Sequence, residues 1–450
     1  MINEMMIKAR IAQKEFETFN QEQVDRIVRE IGKVVYDHAE LLARMAVDET
    51  QMGVYEHKVA KNKGKAKVIW NDLKDKKSVD EIGYNPETNI IEIAKPIGVV
   101  GAVSPTTNPI VTPMCNSMFA LKGRNAIIVA PHPRAKKCSA YTVELINERL
   151  AQLGAPANLI QIIAEPSVEL TNELMQAVDV VVATGGMGMV KAAYSSGKPA
   201  FGVGAGNVQV IVDRDVDFVQ TAIKMIDGRT FDNGIICSGE QTIIAHEDDY
   251  NEVIGAFEAN GAFMVRDADM HEKLKATIFD GNHLNKDVVG QSVQRIAELA
   301  GVVIPEGTKV ILLEAKGIGS ADILCKEKMC PVMSTFKYKT FDDAIHIAKT
   351  NLELEGNGHS AAIHSNNLEH IKKAGTSLSV SRLVVNAPSA TTAGGSFFNG
   401  FAPTTTLGCG SWGNNSISEN FTYKHLINVS RIGLVRENVE VQSDETIWAV

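Results

Sequence analysis

Three apolar runs decide how this chain is read: Ala126-Ile127-Ile128-Val129-Ala130, Leu159-Ile160-Gln161-Ile162-Ile163 and Asp179-Val180-Val181-Val182-Ala183. Helical patterns separate them, one from Ala135 to Leu153 closed by Gly154 and one around Leu170 to Ala177. Strands alternating with helices of this length predict βαβ units and a parallel sheet. Ligands of such sheets bind beyond the carboxyl ends of the strands. Upstream, Pro96-Ile97-Gly98-Val99-Val100-Gly101-Ala102-Val103 reads as a further buried strand, followed by a helix-like segment from Ile110 to Leu121. The looser alternation from Asn89 to Ala94 reads as an edge ribbon. Residues 1 to about 75 read as helices, with Val24, Ile27, Ile31, Val34 and Val35 recurring at helical spacing.

Downstream, Thr184-Gly185-Gly186-Met187-Gly188-Met189-Val190 is a glycine-rich turn opening a helix, a place where a phosphate can meet backbone amides. It is not a GxGxxG fingerprint. After a further crossover come Gly202-Val203-Gly204-Ala205-Gly206-Asn207 and the strand Val208 to Val212. A second βα alternation is expected from Gln241-Thr242-Ile243-Ile244 to about Ile363. From Ser389 the chain turns rich in Ser, Thr and Gly.

Composition sets the class. The 450 residues are 44% hydrophobic and 22% charged, with a net charge of -9. That describes an ordinary globular protein of two or three domains and gives no basic footprint for nucleic acid. No run approaches a membrane span or a signal region, and six cysteines form neither a disulfide framework nor a metal-ligand spacing. A reduced cytoplasm is the expected compartment, and no metal is expected. The Lys-rich run Lys61 to Lys67 reads as a solvated face.

One cysteine stands apart. In Phe231-Asp232-Asn233-Gly234-Ile235-Ile236-Cys237-Ser238-Gly239-Glu240-Gln241, an Asn-Gly turn signal precedes Cys237 among small and amide-bearing neighbours. A thiolate there can attack an electrophilic carbon. Glu240, the one carboxylate close to it in sequence, reads as structural.

Five segments in this order resemble the aldehyde dehydrogenase superfamily, in its CoA-acylating branch, over nearly the whole chain. They are Pro105-Thr106-Thr107-Asn108-Pro109, Asn233-Gly234-Ile235-Ile236-Cys237, Glu327-Lys328-Met329-Cys330-Pro331-Val332, Gly358-His359-Ser360-Ala361-Ala362-Ile363-His364-Ser365 and Leu407-Gly408-Cys409-Gly410-Ser411-Trp412-Gly413. Met52-Gly53-Val54-Tyr55-Glu56, Cys325 to Pro331 and Thr391-Thr392-Ala393-Gly394-Gly395 look like the CoA-dependent succinate-semialdehyde dehydrogenases.

The resemblance implies an α/β fold: a Rossmann-type cofactor domain (1–84 and 100–228), an α/β catalytic domain (229–418) and a small β oligomerisation arm with a tail (85–99 and 419–450). It implies that Cys237 is the nucleophile and that Asn108 helps the Cys237 backbone N–H to hold the oxyanion. His359 falls in a segment typical of the acylating branch, with a part in positioning or activating CoA. The cofactor, NAD or NADP, is assigned to Thr106, Pro131, His132, Arg134, Gly185, Gly186, Gly204, Glu327 and Pro331, with Glu327 on the nicotinamide ribose. Ser238, Arg382 and Ser396 are the candidates for binding the substrate, with Thr404-Thr405-Thr406 as alternative donors.

Two departures refine this. Hydrolytic relatives carry a water-activating glutamate where this chain has Gly202, in Phe201-Gly202-Val203-Gly204. Without that base water attack is slow, while a thiol needs less help, so coenzyme A is expected to take the acyl group. The lysine and glutamate that grip the adenosine ribose in those relatives are also missing from Ala130-Pro131-His132-Pro133-Arg134, which permits NADP beside NAD. The expected reaction, reversible, takes succinate semialdehyde, CoA and NAD(P)⁺ to succinyl-CoA and NAD(P)H. Acetaldehyde or another short aldehyde is the alternative substrate, and a non-catalytic dehydrogenase-fold protein the alternative class. A homodimer or dimer of dimers is expected.

Overall fold

The computed structural model describes residues 1–437 and 439–449. It opens with four helices, α1 (Ile2–Phe16), α2 (Gln21–Asp37), α3 (Ala39–Thr50) and α4 (Tyr55–Leu73). A capping box starts α2, with Asn20 and Gln23 each accepting the other's backbone N–H. Its stripe Val24, Ile27, Val28, Ile31, Val34 and Val35 is buried, so the helix sits on the first core by one face.

That core surrounds a five-stranded parallel sheet of β3 (Val99–Val103), β4 (Ala126–Ala130), β5 (Ile160–Ile162), β6 (Val180–Thr184) and β7 (Ala200–Val203). The order is β5-β4-β3-β6-β7. The chain builds outward from β3 in one direction, then returns to its other side. Strand order therefore reverses between β3 and β6, which opens a crevice at their carboxyl ends. The helices α5 (Val111–Lys122), α6 (Lys136–Gln152), α7 (Val168–Ala177) and α8 (Met187–Tyr194) make the connections.

The second sheet is also parallel, with order β10-β13-β14-β9-β8-β15-β16. Its strands are β8 (Gln209–Val212), β9 (Thr242–His246), β10 (Ala262–Met264), β13 (Val310–Glu314), β14 (Val332–Tyr338), β15 (Gly358–His364) and β16 (Val380–Val385). A small hairpin, β11 (Phe279–Asp280) and β12 (His283–Leu284), lies between. Two antiparallel strands, β1 (Asp80–Asn85) and β2 (Ile90–Pro96), join β17 (Ile427–Gly433) in a separate three-stranded arm. Among the described residues no helix is long and apolar enough to cross a membrane.

Two features differ from the sequence expectation. A strand, β7, occupies 200–203, where no strand was expected before Val208. The second sheet begins at β8, well before Gln241 and before the expected boundary at 229. Helix α9 (Phe218–Thr230) follows it, and Ala222, Met225 and Ile226 belong to that second core. A four-residue apolar strand has the same local signature in either sheet. Only its partners, β9 and β15, decide where it belongs.

Candidate active site

The segment before Cys237 is an unusual piece of backbone. Asp232, Asn233 and Gly234 are consecutively left-handed, with φ of 54°, 54° and 71°. Asparagine and glycine tolerate that region, but two non-glycine residues in succession need holding. Asp232 is wholly buried, and its Oδ1 accepts the Val54 N–H at 2.8 Å. Its Oδ2 accepts from Lys58 at 3.0 Å and Lys61 at 2.6 Å, both on α4. Its own N–H donates to His57 Nδ1 at 2.9 Å, and Asn233 Nδ2 donates to the Gly290 carbonyl at 3.0 Å. Burial works against the Asp232 carboxylate, yet Lys61 and Lys58 hold it below the usual range. Burial and the adjacent Lys61 push Lys58 down to about 8.

This scaffold delivers Cys237 half-buried into a cavity of about 350 Å³. Asn108 lines the same cavity, as do Lys61 and Lys65 from α4, Ser238, Ser396, Thr404 and Thr405. No aspartate or glutamate does so among the described residues. Burial pushes the Cys237 thiol up to about 12, with Glu327 and Cys409 adding to the rise and Arg382 opposing it. Behind the cysteine the backbones touch: a Cβ at Gly206 would lie 1.8 Å from the Cys237 carbonyl oxygen.

Most of the cofactor candidates gather at the carboxyl ends of the first sheet's strands. Thr106 follows β3; Pro131, His132 and Arg134 follow β4; Gly185 and Gly186 follow β6; Gly204 follows β7. A Cβ at Gly186 or Gly188 would meet nothing within 4 Å, so open backbone faces the approach to α8. That fits a dinucleotide's phosphates at these strand ends. Glu327 and Pro331 come from the segment leading into β14. Glu327 donates its N–H to Glu355 at 2.7 Å, and burial beside Glu355 raises its own carboxyl to about 8.

A half-buried cysteine and an asparagine line one cavity, and a glycine-rich turn follows β6 at the carboxyl ends of the first sheet. Residues 1–425 match the aldehyde dehydrogenase family. The chain belongs to that family. It is 60% identical over 447 residues to the succinate-semialdehyde dehydrogenase (acetylating) of Clostridium kluyveri, covering 99% of this chain and 98% of the relative. An acetylating aldehyde dehydrogenase from Geobacillus thermoglucosidasius superposes with a TM-score of 0.94 at 36% identity, over 98% of each chain. A propionaldehyde dehydrogenase of Rhodopseudomonas palustris, solved with bound propionyl-CoA, superposes at 0.87 with 31% identity over 96% of this chain and 94% of that one.

Several residues land away from the roles expected of them. Arg382 is 2% exposed, lines no part of this aldehyde dehydrogenase's cavity and has its guanidinium spoken for. Nε donates to Ser360 Oγ at 3.1 Å, Nη1 to Asn420 Oδ1 at 3.0 Å, and Nη2 to the carbonyls of His359 at 2.6 Å and Gly408 at 2.8 Å. It clamps the 407–413 loop to β15. His359 is buried off the cavity, its Nδ1 3.1 Å from Ser360 Oγ and its Nε2 without a partner among the described residues. Burial drives it down to about 3, so it is a neutral imidazole. A Cβ at Gly202 would strike Val190 at 2.8 Å and Tyr194 at 3.0 Å on α8, so that position faces away from the cavity. The next residue, Val203, packs with Leu407 and Cys409 against Cys237. Glu240 is buried with Oε1 accepting from Ser389 N–H, outside the cavity, in keeping with a structural role.

Sequence reading missed Lys61 and Lys65. Their four-residue spacing puts both on one helix face, a signal available in the lysine run but masked by its resemblance to a solvated surface.

Gly206→Ala tests the contact behind Cys237. Backbone cannot yield as a side-chain tip can, so the nucleophile is expected to shift and kcat to fall about a hundredfold. Steady-state kinetics with a folded variant reads this, and an unchanged kcat would show that the loop accommodates the methyl.

Proposed function

We propose that this protein is a CoA-acylating aldehyde dehydrogenase that interconverts succinate semialdehyde and succinyl-CoA, with NAD(P) as the redox partner. The observation that carries the reading is the cavity: Cys237 and Asn108 share it with the Lys65 ammonium, and its lining offers no carboxylate to activate water. The 60% identical relative supports the same substrate.

The chemistry follows from those groups. Cys237 sulfur adds to the aldehyde carbon, and Asn108 Nδ2 with the Cys237 N–H donates to the alkoxide that forms. Bound at the carboxyl ends of the first sheet, nicotinamide would supply the hydride acceptor. The residues around Cys237 hold the thiohemiacetal while its C–H bond breaks, leaving an acyl thioester on sulfur. The CoA sulfur then adds to that thioester, the same donors hold the second alkoxide, and Cys237 leaves. Overall, aldehyde, CoA and NAD(P)⁺ give acyl-CoA, NAD(P)H and a proton. With the position of Gly202 turned from the cavity, the apolar wall made by Val203 and Leu407 and the carboxylate-free lining favour CoA over water.

Lys65 is the group suited to the distal carboxylate. Its Nζ donates to the Gly394 carbonyl at 2.8 Å and the Thr404 carbonyl at 3.1 Å, which leaves one hydrogen for a ligand. Thr405 adds a buried hydroxyl with no hydrogen-bond partner among the described residues. Burial pushes Lys65 down to about 8, so part of its charge is lost at mildly alkaline pH. A bound carboxylate pairs that charge, as a buried cation requires.

Arg134, exposed after β4, suits a ribose 2′-phosphate, and we place NADP beside NAD as usable cofactors. The arm supports a homodimer or dimer of dimers, since Ile432, Leu434 and Val435 are exposed along and just past β17. Six free cysteines suit a reducing cytoplasm.

Three measurements test this reading. Cys237→Ala should abolish NADH or NADPH oxidation with succinyl-CoA, and omitting CoA should stop aldehyde-dependent reduction of NAD⁺ or NADP⁺; sustained turnover without CoA would mean hydrolysis. Succinate semialdehyde should exceed butyraldehyde in kcat/KM by at least about tenfold, roughly 1.4 kcal/mol. Because Lys65 must be protonated to pair a carboxylate, that ratio should fall as pH rises through about 8, while Cys237 ionisation cancels from it. Lys65→Met should remove both the preference and its pH dependence. Third, truncation before Ile427 should leave monomers in analytical ultracentrifugation; dimers persisting without β17 would acquit the arm.

A further inference from the structure

A second lysine of the cavity, Lys61, does something different. All three hydrogens of the Lys61 ammonium have protein acceptors: Asp232 Oδ2 at 2.6 Å, Asn108 Oδ1 at 2.8 Å and, more loosely, the Thr107 carbonyl at 3.4 Å. No donor is left for a substrate carboxylate. What Lys61 touches is the oxygen end of the oxyanion asparagine and the anchor of the loop that carries the nucleophile.

An amide has two ends of opposite character, and which end faces a site is set by its hydrogen bonds. An ammonium has no lone pair to offer, so it can hold only the oxygen. With Oδ1 held by Lys61, the Asn108 NH2 is turned the other way, and Nδ2 has no protein acceptor among the described residues. Released from Lys61, the amide can turn over and present oxygen where alkoxide charge develops. An oxygen there repels what the nitrogen would stabilise. The cation also draws electron density from the amide and sharpens its N–H as a donor.

Lys61 is itself aimed. Asp232 accepts from it while receiving Lys58 and the Val54 N–H, so the ammonium sits on a carboxylate with no exposed surface. Asp232 belongs to the left-handed turn five residues before Cys237. One ammonium therefore spans the two halves of the chemistry, the donor on the β3 side and the nucleophile's loop.

We infer that Lys61 is a positioning residue for acyl transfer, orienting Asn108 so that its Nδ2 faces the developing oxyanion beside Cys237. This rests on the reading above, in which Asn108 stabilises the oxyanion of a Cys237 adduct. It acts in both half-reactions, since both pass through a tetrahedral alkoxide at the same place.

A double-mutant cycle decides it. Lys61→Met, Lys61→Gln, Lys61→Arg, Asn108→Ala and Asn108→Ala with Lys61→Met are compared on the full enzyme for kcat and KM with succinyl-CoA. Alkylation of Cys237 by iodoacetamide is timed in each. Loss of one oxyanion donor lowers kcat by about 10²–10³, so Asn108→Ala should do so. Lys61→Met and Lys61→Gln should each lower kcat by at least about tenfold with KM little changed, and neither should slow alkylation. Lys61→Met should add nothing once Asn108 is alanine. Lys61→Arg keeps a cation that can donate to Oδ1, and should recover part of the loss. If Lys61→Met and Lys61→Gln both keep wild-type kcat, or if the effects of Lys61 and Asn108 simply multiply, the inference fails while the oxyanion assignment stands. Slowed alkylation in step with kcat also overturns it, because the effect would then lie in the loop. If Asn108→Ala itself keeps full kcat, the oxyanion reading falls and takes this inference with it.

Discussion

A single buried carboxylate, Asp232, ties this enzyme together. It has no exposed surface and takes hydrogen bonds from two lysines of α4 and a backbone amide of the turn that leads into that helix. A charge removed from water is tolerated only when it is paired, and losing one partner of such a pair costs roughly 3–5 kcal/mol. The helices at the start of the chain are therefore structurally coupled to a distant loop, since Lys58 and Asp232 stand 174 positions apart in sequence. The strained left-handed turn before Cys237 persists because this network surrounds it.

The nucleophile is reached through opposed electrostatics. Burial and the nearby Glu327 favour the Cys237 thiol, while Arg382 favours the thiolate. Glu327, itself raised to about 8, is largely protonated near neutral pH, which softens its repulsion. Arg382 thus contributes from behind the site, through its charge and by fixing the loop at Gly408, without contacting a ligand in the cavity. The neutral His359 cannot supply a second positive charge there.

The same helix carries two lysines with different work. Lys61 has committed its donors to protein oxygens, whereas Lys65 keeps one over the cavity. One turn of α4 separates them, so a cation with a free donor and a cation bound to an asparagine come from adjacent steps of one helical face.

The sequence alone determined the elements and the chemistry of the nucleophile. Apolar runs of five residues between helical patterns announce a parallel sheet because covered strands exclude polar residues from both faces. Asn233-Gly234 announces a turn because that dipeptide breaks regular structure, and Cys237 with Asn108 and Glu327 in order announces the family. Only the tertiary structure decided the membership of β8, the direction a side chain at 202 would take, and which cations line the cavity of Cys237. Each of these depends on pairing between distant segments. A strand carries no mark of its sheet, Arg382 shows no sign in sequence that its guanidinium is consumed by protein acceptors, and Lys61 and Lys65 look like solvated charges until Asp232, Gly394 and Thr404 are brought to them by the fold.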